Sequence, residues 1–231
     1  MRTTTLALMV TVALAAGAAA DPAAPGDVLQ RAQVFAARQA WAEAVSAYRD
    51  AIAASPRDAT LQNQLGICYQ RMGDRKSARS AYNMAIHLNE DYAEAHNNLG
   101  TLEHSSGRYK QAISAYDKAI KIRPETVFYK NLGTAWLARG NVDKALAAWN
   151  EGIRLDPAGF EKEGVSVASA DFDLARQYYL FAKLVAARGE IEKALDYLKK
   201  AHAAGFNDFT RLERDRDFAT LIGDPRYATL K

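Results

Sequence analysis

Three kinds of residue return at one spacing along this chain. Glycine stands at 73, 107, 140 and 189. Alanine stands at 44, 78, 112, 145 and 194, in steps of 34, 34, 33 and 49. Four residues after each alanine comes a large side chain: Tyr48, Tyr82, Tyr116, Trp149 and Leu198. Three further on comes a small one: Ala51, Ala85, Ala119, Gly152 and Ala201. A segment of that length cannot enclose a core of its own. A fixed period of this size therefore calls for supersecondary units that bury their apolar faces against one another.

Each unit reads as two helices. Between Asp91 and Arg123, Asp91 is expected to cap the first helix. Ala95, Leu99 and Leu102 follow at helical spacing. Gly107 then ends that helix, since glycine accepts the left-handed conformation of a tight stop. Ala112, Ile113, Tyr116, Ala119 and Ile120 form the apolar stripe of the second helix, and Pro124 prevents its continuation. Gly100 and Ala112 are expected to face each other where the helices approach most closely, with Tyr116 filling the wider end of the wedge.

The pattern resembles the tetratricopeptide repeat. Leu65-Gly66, Tyr69, Ala78, Tyr82 and Ala85 carry it, as do Leu99-Gly100, Ala112, Tyr116, Ala119 and Pro124, and again Leu132-Gly133, Trp136, Ala145, Trp149 and Pro157. Weaker copies flank these: Phe35, Ala44, Tyr48, Ala51 and Pro56 on one side, Phe181-Ala182, Ala194, Leu198 and Ala201 on the other. There are departures. Gln62, His96 and Tyr129 stand where the family often has tryptophan, Glu103 replaces an aromatic residue, and Asn89-Glu90 replaces a proline. The resemblance implies an all-α fold, a right-handed α-solenoid of about five helix-turn-helix repeats near 25–58, 59–92, 93–125, 126–157 and 175–206. The step of 49 leaves an insertion at 158–174, read as a loop. Leu212, Phe218, Leu221, Ile222, Tyr227 and Leu230 place capping helices over 207–231, because a solenoid must cover its terminal apolar face.

Ahead of the repeats, Met1-Arg2, an apolar run from Leu6 to Ala16 and Ala18-Ala19-Ala20 have the order of a secretory signal peptide, with cleavage expected after Ala20. The run is shorter than the roughly 20 residues of a membrane span. No cysteine follows it for lipid attachment. Residues 21–26 are expected to be disordered. The expected location is thus the periplasm or outside the cell, with no membrane span after cleavage. The formal net charge of +3 is small and mixed in sign along the chain, which argues against nucleic acid as a partner. The single cysteine, Cys68, excludes an internal disulfide and is expected to be an inert core residue.

No residue pattern points to catalysis, a cofactor or a metal. His87, His96, His104 and His202 show no ligand spacing, and no glycine-rich phosphate loop, GxSxG or HExxH occurs. An enzyme of another kind would need clustered carboxylates, and none stand at useful spacing.

The resemblance implies instead a concave surface lined by the first helix of each unit. Carried over by position, its lining includes Asn63, Ile67 and Arg71, then Asn97, Asn98, Thr101 and His104, then Lys130 and Thr134, then Arg176, Tyr179 and Lys183. The expectation is a scaffold or adaptor whose groove holds a protein or peptide. Lys130, Arg176 and Lys183 favour an acidic extended segment in the C-terminal half, with Tyr179 as its aromatic anchor. The two-lysine clamp that some relatives use for a C-terminal carboxylate is not matched: of Asn63, Ile67, Asn98, Val127 and Asn131, only Asn98 fits. The alternative is a subunit of an envelope assembly that uses its edges and the insertion.

Overall fold

The computed structural model describes residues 25–162 and 174–230. The expected signal segment and residues 163–173 of the insertion lie outside the described residues. Ten helices form five antiparallel pairs: α1 (Pro25–Ala37) with α2 (Trp41–Ala54), α3 (Ala59–Arg71) with α4 (Arg75–Leu88), α5 (Ala93–Ser105) with α6 (Tyr109–Ile122), α7 (Thr126–Ala138) with α8 (Val142–Leu155), and α10 (Leu174–Ala186) with α11 (Ile191–Ala203). The second helix of one pair packs on the first helix of the next, and α5 touches both α3 and α7. This is an α-solenoid, and no strand occurs among the described residues.

The close approach within a pair is set by a glycine and a ring. Gly100 faces the ring of Tyr116. A Cβ on Gly100 would stand 2.6 Å from Tyr116 Cε1. Gly66 against Tyr82 and Gly133 against Trp149 repeat that contact. In these three pairs the glycine of the first helix thus makes room for the aromatic ring of its partner helix. Burial of such a ring contributes about 2–3 kcal/mol. The turns follow the sequence: Gly107 has φ +72°, the left-handed stop. In the first pair Gln39 takes that place, with φ 59°.

Asp91 is not a cap. Tyr92 occupies the N-cap of α5 without a side-chain bond, while the Asp91 amide donates to Asn89 Oδ1 at 3.1 Å. α5 begins 34 residues after α3, so Tyr92 stands at the place that Asp58 holds in the preceding pair and Asp91 lies one residue too early. Asp58, Asp74 and Asn141 cap α3, α4 and α8 as such residues do elsewhere. At the other end of the chain's described lead, α1 begins at Pro25, so residues 25 and 26 are helical rather than disordered.

Two further departures shape the C-terminal half. The insertion is not a loop from its start: Pro157–Lys162 forms a short helix, α9, whose Phe160 is buried edge-on against Phe181 at 5.4 Å. The C-terminal segment folds as α12 (Phe209–Arg214), a 3-10 turn at Arg216–Phe218, α13 (Ala219–Ile222) and a 3-10 turn at Pro225–Leu230. Its Leu212, Phe218 and Leu221 are fully buried with Tyr179, Leu195 and Leu198 in one core cluster. This segment is the cover that a terminal apolar face requires.

Candidate functional site: the concave face

The first helices α1, α3, α5, α7 and α10 line one face of the stack, and their outward side chains decide what it offers. On α3 and α5 the face is open. Arg71 is exposed, and Ile67, Asn97, Asn98 and Thr101 are half-buried. Beside them a cleft of about 420 Å³ lies between α1 and α3, lined among others by Leu29, Gln33, Tyr48 and Thr60.

Amide side chains tie these helices together. Asn98 Nδ2 donates to Asn63 Oδ1 at 3.0 Å, and Asn131 Nδ2 donates to Asn97 Oδ1 at 2.9 Å. On the next step Gln177 Nε2 donates to Thr134 Oγ1 at 3.2 Å. Asn63 is buried beneath this ladder. Each asparagine link uses one amide group of either partner. The amide nitrogen of Asn97 and the amide oxygens of Asn98 and Asn131 therefore remain for a bound main chain. The signal was in the sequence, for Asn63, Asn97 and Asn131 keep the period of 34.

The expectation that positive charge and an aromatic anchor stand free in the C-terminal half is overturned. Tyr179 is only 3 % exposed. Its ring stacks on Phe206 at 4.8 Å and meets Phe218 at 5.6 Å, and its hydroxyl donates to Asp215 Oδ2 at 3.1 Å. Lys183 Nζ is bound to Asp215 at 2.6 Å and Asp217 at 3.2 Å. Burial alone would lower the Lys183 pKa, but these two carboxylates carry it above the ordinary lysine value. Burial likewise opposes ionisation of Asp215, and the Lys183 and Asp217 hydrogen bonds outweigh it, holding the carboxyl below its usual range. The acidic segment expected from a partner is supplied by the chain's own C-terminal cap.

Lys130 is also consumed. It is 6 % exposed, its Nζ donates to the Phe160 carbonyl at 2.6 Å and it lies 4.9 Å from the centre of the Phe160 ring. Thr134 is buried and donates back to the Lys130 carbonyl at 3.0 Å. Arg176 is exposed but is engaged within the molecule. His104 does not line the groove. It is 5 % exposed, with its ring 5.2 Å from that of Tyr109. Burial lowers its pKa, and Nε2 has no hydrogen-bond partner. Of the twelve expected lining residues, the structure leaves Ile67, Arg71, Asn97, Asn98 and Thr101 together on an open surface.

Elsewhere the chemistry is structural. Cys68 is buried, and burial raises its thiol pKa, as an inert core thiol requires. Glu103, at the place of a family aromatic, is buried and bound by Arg79 at 2.6 Å and by Arg108. Among the described residues no group of three or more histidine, cysteine or acidic side chains is placed to hold a metal ion. No helix among them is long and apolar enough to cross a membrane.

Comparison with known proteins agrees with this architecture. Profiles of the tetratricopeptide repeat match residues 64–91 and 93–125. No curated protein matches the chain in sequence. Among solved structures, PilF of Pseudomonas aeruginosa is similar with a TM-score of 0.59 at 18 % identity, covering 85 % of this chain and 87 % of that one. MamA of Desulfovibrio magneticus RS-1 gives 0.58 at 16 % identity, over 86 % of this chain and 100 % of that one. A thermophilic repeat protein of Thermus thermophilus, TTC0263, gives 0.54 at 18 % identity, over 90 % of this chain and 98 % of that one. At these identities the likeness is one of fold. With two repeats matched by profile and five helix pairs stacked in series, the chain is a tetratricopeptide-repeat protein, of the fold used by protein-interaction scaffolds.

Proposed function

We propose that this chain is an exported, non-catalytic scaffold that holds an extended segment of a protein partner across α3 and α5. One observation carries this reading. The C-terminal half of the concave face is filled by α9 and the cap, while the N-terminal half keeps an apolar side chain, a basic one and spare amide groups on one open surface. Ile67 offers apolar contact, Arg71 a charge, and Asn97 and Asn98 bonds to a main chain. The partner chemistry changes accordingly. Lys130 and Lys183 no longer support an acidic ligand in the groove, so main-chain recognition carries more of the affinity. The signal-like order of residues 1–20 supports export.

The test is a photo-crosslinking amino acid placed at Arg71, at Thr101 and, as a control, at Lys199 on α11, in cells that make the protein. A discrete adduct at the first two positions and not at the third supports the groove. Adducts at Lys199 alone contradict it. Intact-mass measurement of the protein recovered outside the cytoplasm should give a chain beginning at Asp21, and a chain retaining Met1 contradicts export by a cleaved signal.

A further inference from the structure

The second helices carry very different charge. α2 and α8 each balance basic against acidic residues to within one. α4 and α6 together hold six basic residues and a single acidic one, Asp117. Arg79 is used by Glu103. The other five, Arg75, Lys76, Lys110, Lys118 and Lys121, are exposed and have no ion-pair partner among the described residues. A surface with this excess of one sign attracts and orients its opposite.

Between the C-terminal turns of these two helices lies a cleft of about 610 Å³. Ile86 of α4 and Ile122 of α6 stand half-buried on its two sides. Buried His96 of α5 also lines it, with ring Nε2 3.0 Å from the Glu90 carbonyl oxygen. Lys118 and Lys121 flank the cleft on the α6 side and His87 on the α4 side, while Glu90 and Asp91 occupy the connecting turn. Two of the five basic residues, Lys118 and Lys121, thus stand along one side of a hollow walled by Ile86 and Ile122, with Glu90 and Asp91 on the connecting turn.

We infer that the outer face of α4 and α6 is a second docking surface, separate from the groove, for an acidic segment of a partner protein that seats one aliphatic side chain between Ile86 and Ile122. The partner's carboxylates lie along Lys118 and Lys121 and point away from Glu90 and Asp91. Each helix has 14 residues and is about 21 Å long, so the surface spans about six residues of extended chain. A scaffold with both surfaces holds two partners, or two parts of one, on opposite sides of units two and three.

The experiment is fluorescence anisotropy of the purified chain with a labelled acidic peptide, Asp-Glu-Leu-Glu-Asp, and with the same peptide carrying lysine in place of every acid. Variants are Lys118→Glu with Lys121→Glu, and Lys199→Glu on α11 as a charge-reversal control; far-UV circular dichroism checks folding. The acidic peptide should bind more tightly than the basic one. Its affinity should fall about ten-fold in the α6 double variant and with rising salt, and should stay unchanged in Lys199→Glu. Replacing the peptide's leucine by serine should weaken binding as well. Equal binding of both peptides, insensitivity to the α6 double variant, or an equal loss in Lys199→Glu overturns the proposal. So does binding to phosphatidylglycerol vesicles without binding to the peptide, which would make the face a membrane surface. Failure here leaves the groove reading intact, because the two surfaces share no residue.

Discussion

His104 and Tyr179 show how burial changes what a residue can do. His104 is held neutral in the fold because its ring is taken out of water, which lowers its pKa from the ordinary 6.5. Above about pH 6.5 the ring is neutral in both states and stability is unaffected. As pH falls through that value the unfolded chain takes up the proton first, so stability drops until the depressed folded pKa is reached. His96 adds a change of the same sign, again chiefly through burial. Urea unfolding at about pH 7.5 and pH 5.5 should show a loss that is smaller in His104→Leu. An unchanged difference would remove His104 from the account. Tyr179→Ala should cost about 3–5 kcal/mol of folding stability, read from the denaturation midpoint, because the ring is a core side chain of the cap junction. The expectation that it anchors a partner failed because sequence position gives a residue's place on its helix, not what folds down over it. Cys68 was legible for the opposite reason, since its neighbours at the same place in other units are apolar.

At the scale of single elements, the periodic residues placed the five pairs and their turns, and the irregular ones misled. Gly107 marks a left-handed stop in both sequence and structure. Gln39 fills the same geometry with φ 59°, which strains a residue bearing Cβ. Gln39→Gly should therefore stabilise the chain by about 0.5–1 kcal/mol, raising the melting temperature by a few degrees. A lower melting temperature would show that the Gln39 side chain contributes more than the strain removes. Asp91 looked like a cap by type, yet the period carries the cap position of Asp58 to Tyr92, one residue further on. α9 was missed because six residues are too few for a period to show, and because its anchor is a tertiary contact, Phe160 against Phe181. Glu103 was visible as a departure, but its two arginine partners come from α4 and from the turn before α6, which a single helix pattern cannot join.

The whole molecule is a stack whose concave face is closed at one end by its own chain. Fully buried Leu212, Phe218 and Leu221 fix the cap as core, so it is not a displaceable ligand. Removing residues 208–231 should expose Tyr179 and Leu198, lower the melting temperature and cause association in analytical ultracentrifugation. A monomer that melts unchanged would deny the covering role. The surface over α3 and α5 stays uncovered, and the proposed partner binds there. Hydrogen exchange with and without the partner identified by crosslinking is the test. Exchange should slow within residues 59–71 and 93–105 on binding, with α10 and α11 unaffected. Protection confined to 174–203, with α3 and α5 unchanged, would contradict it.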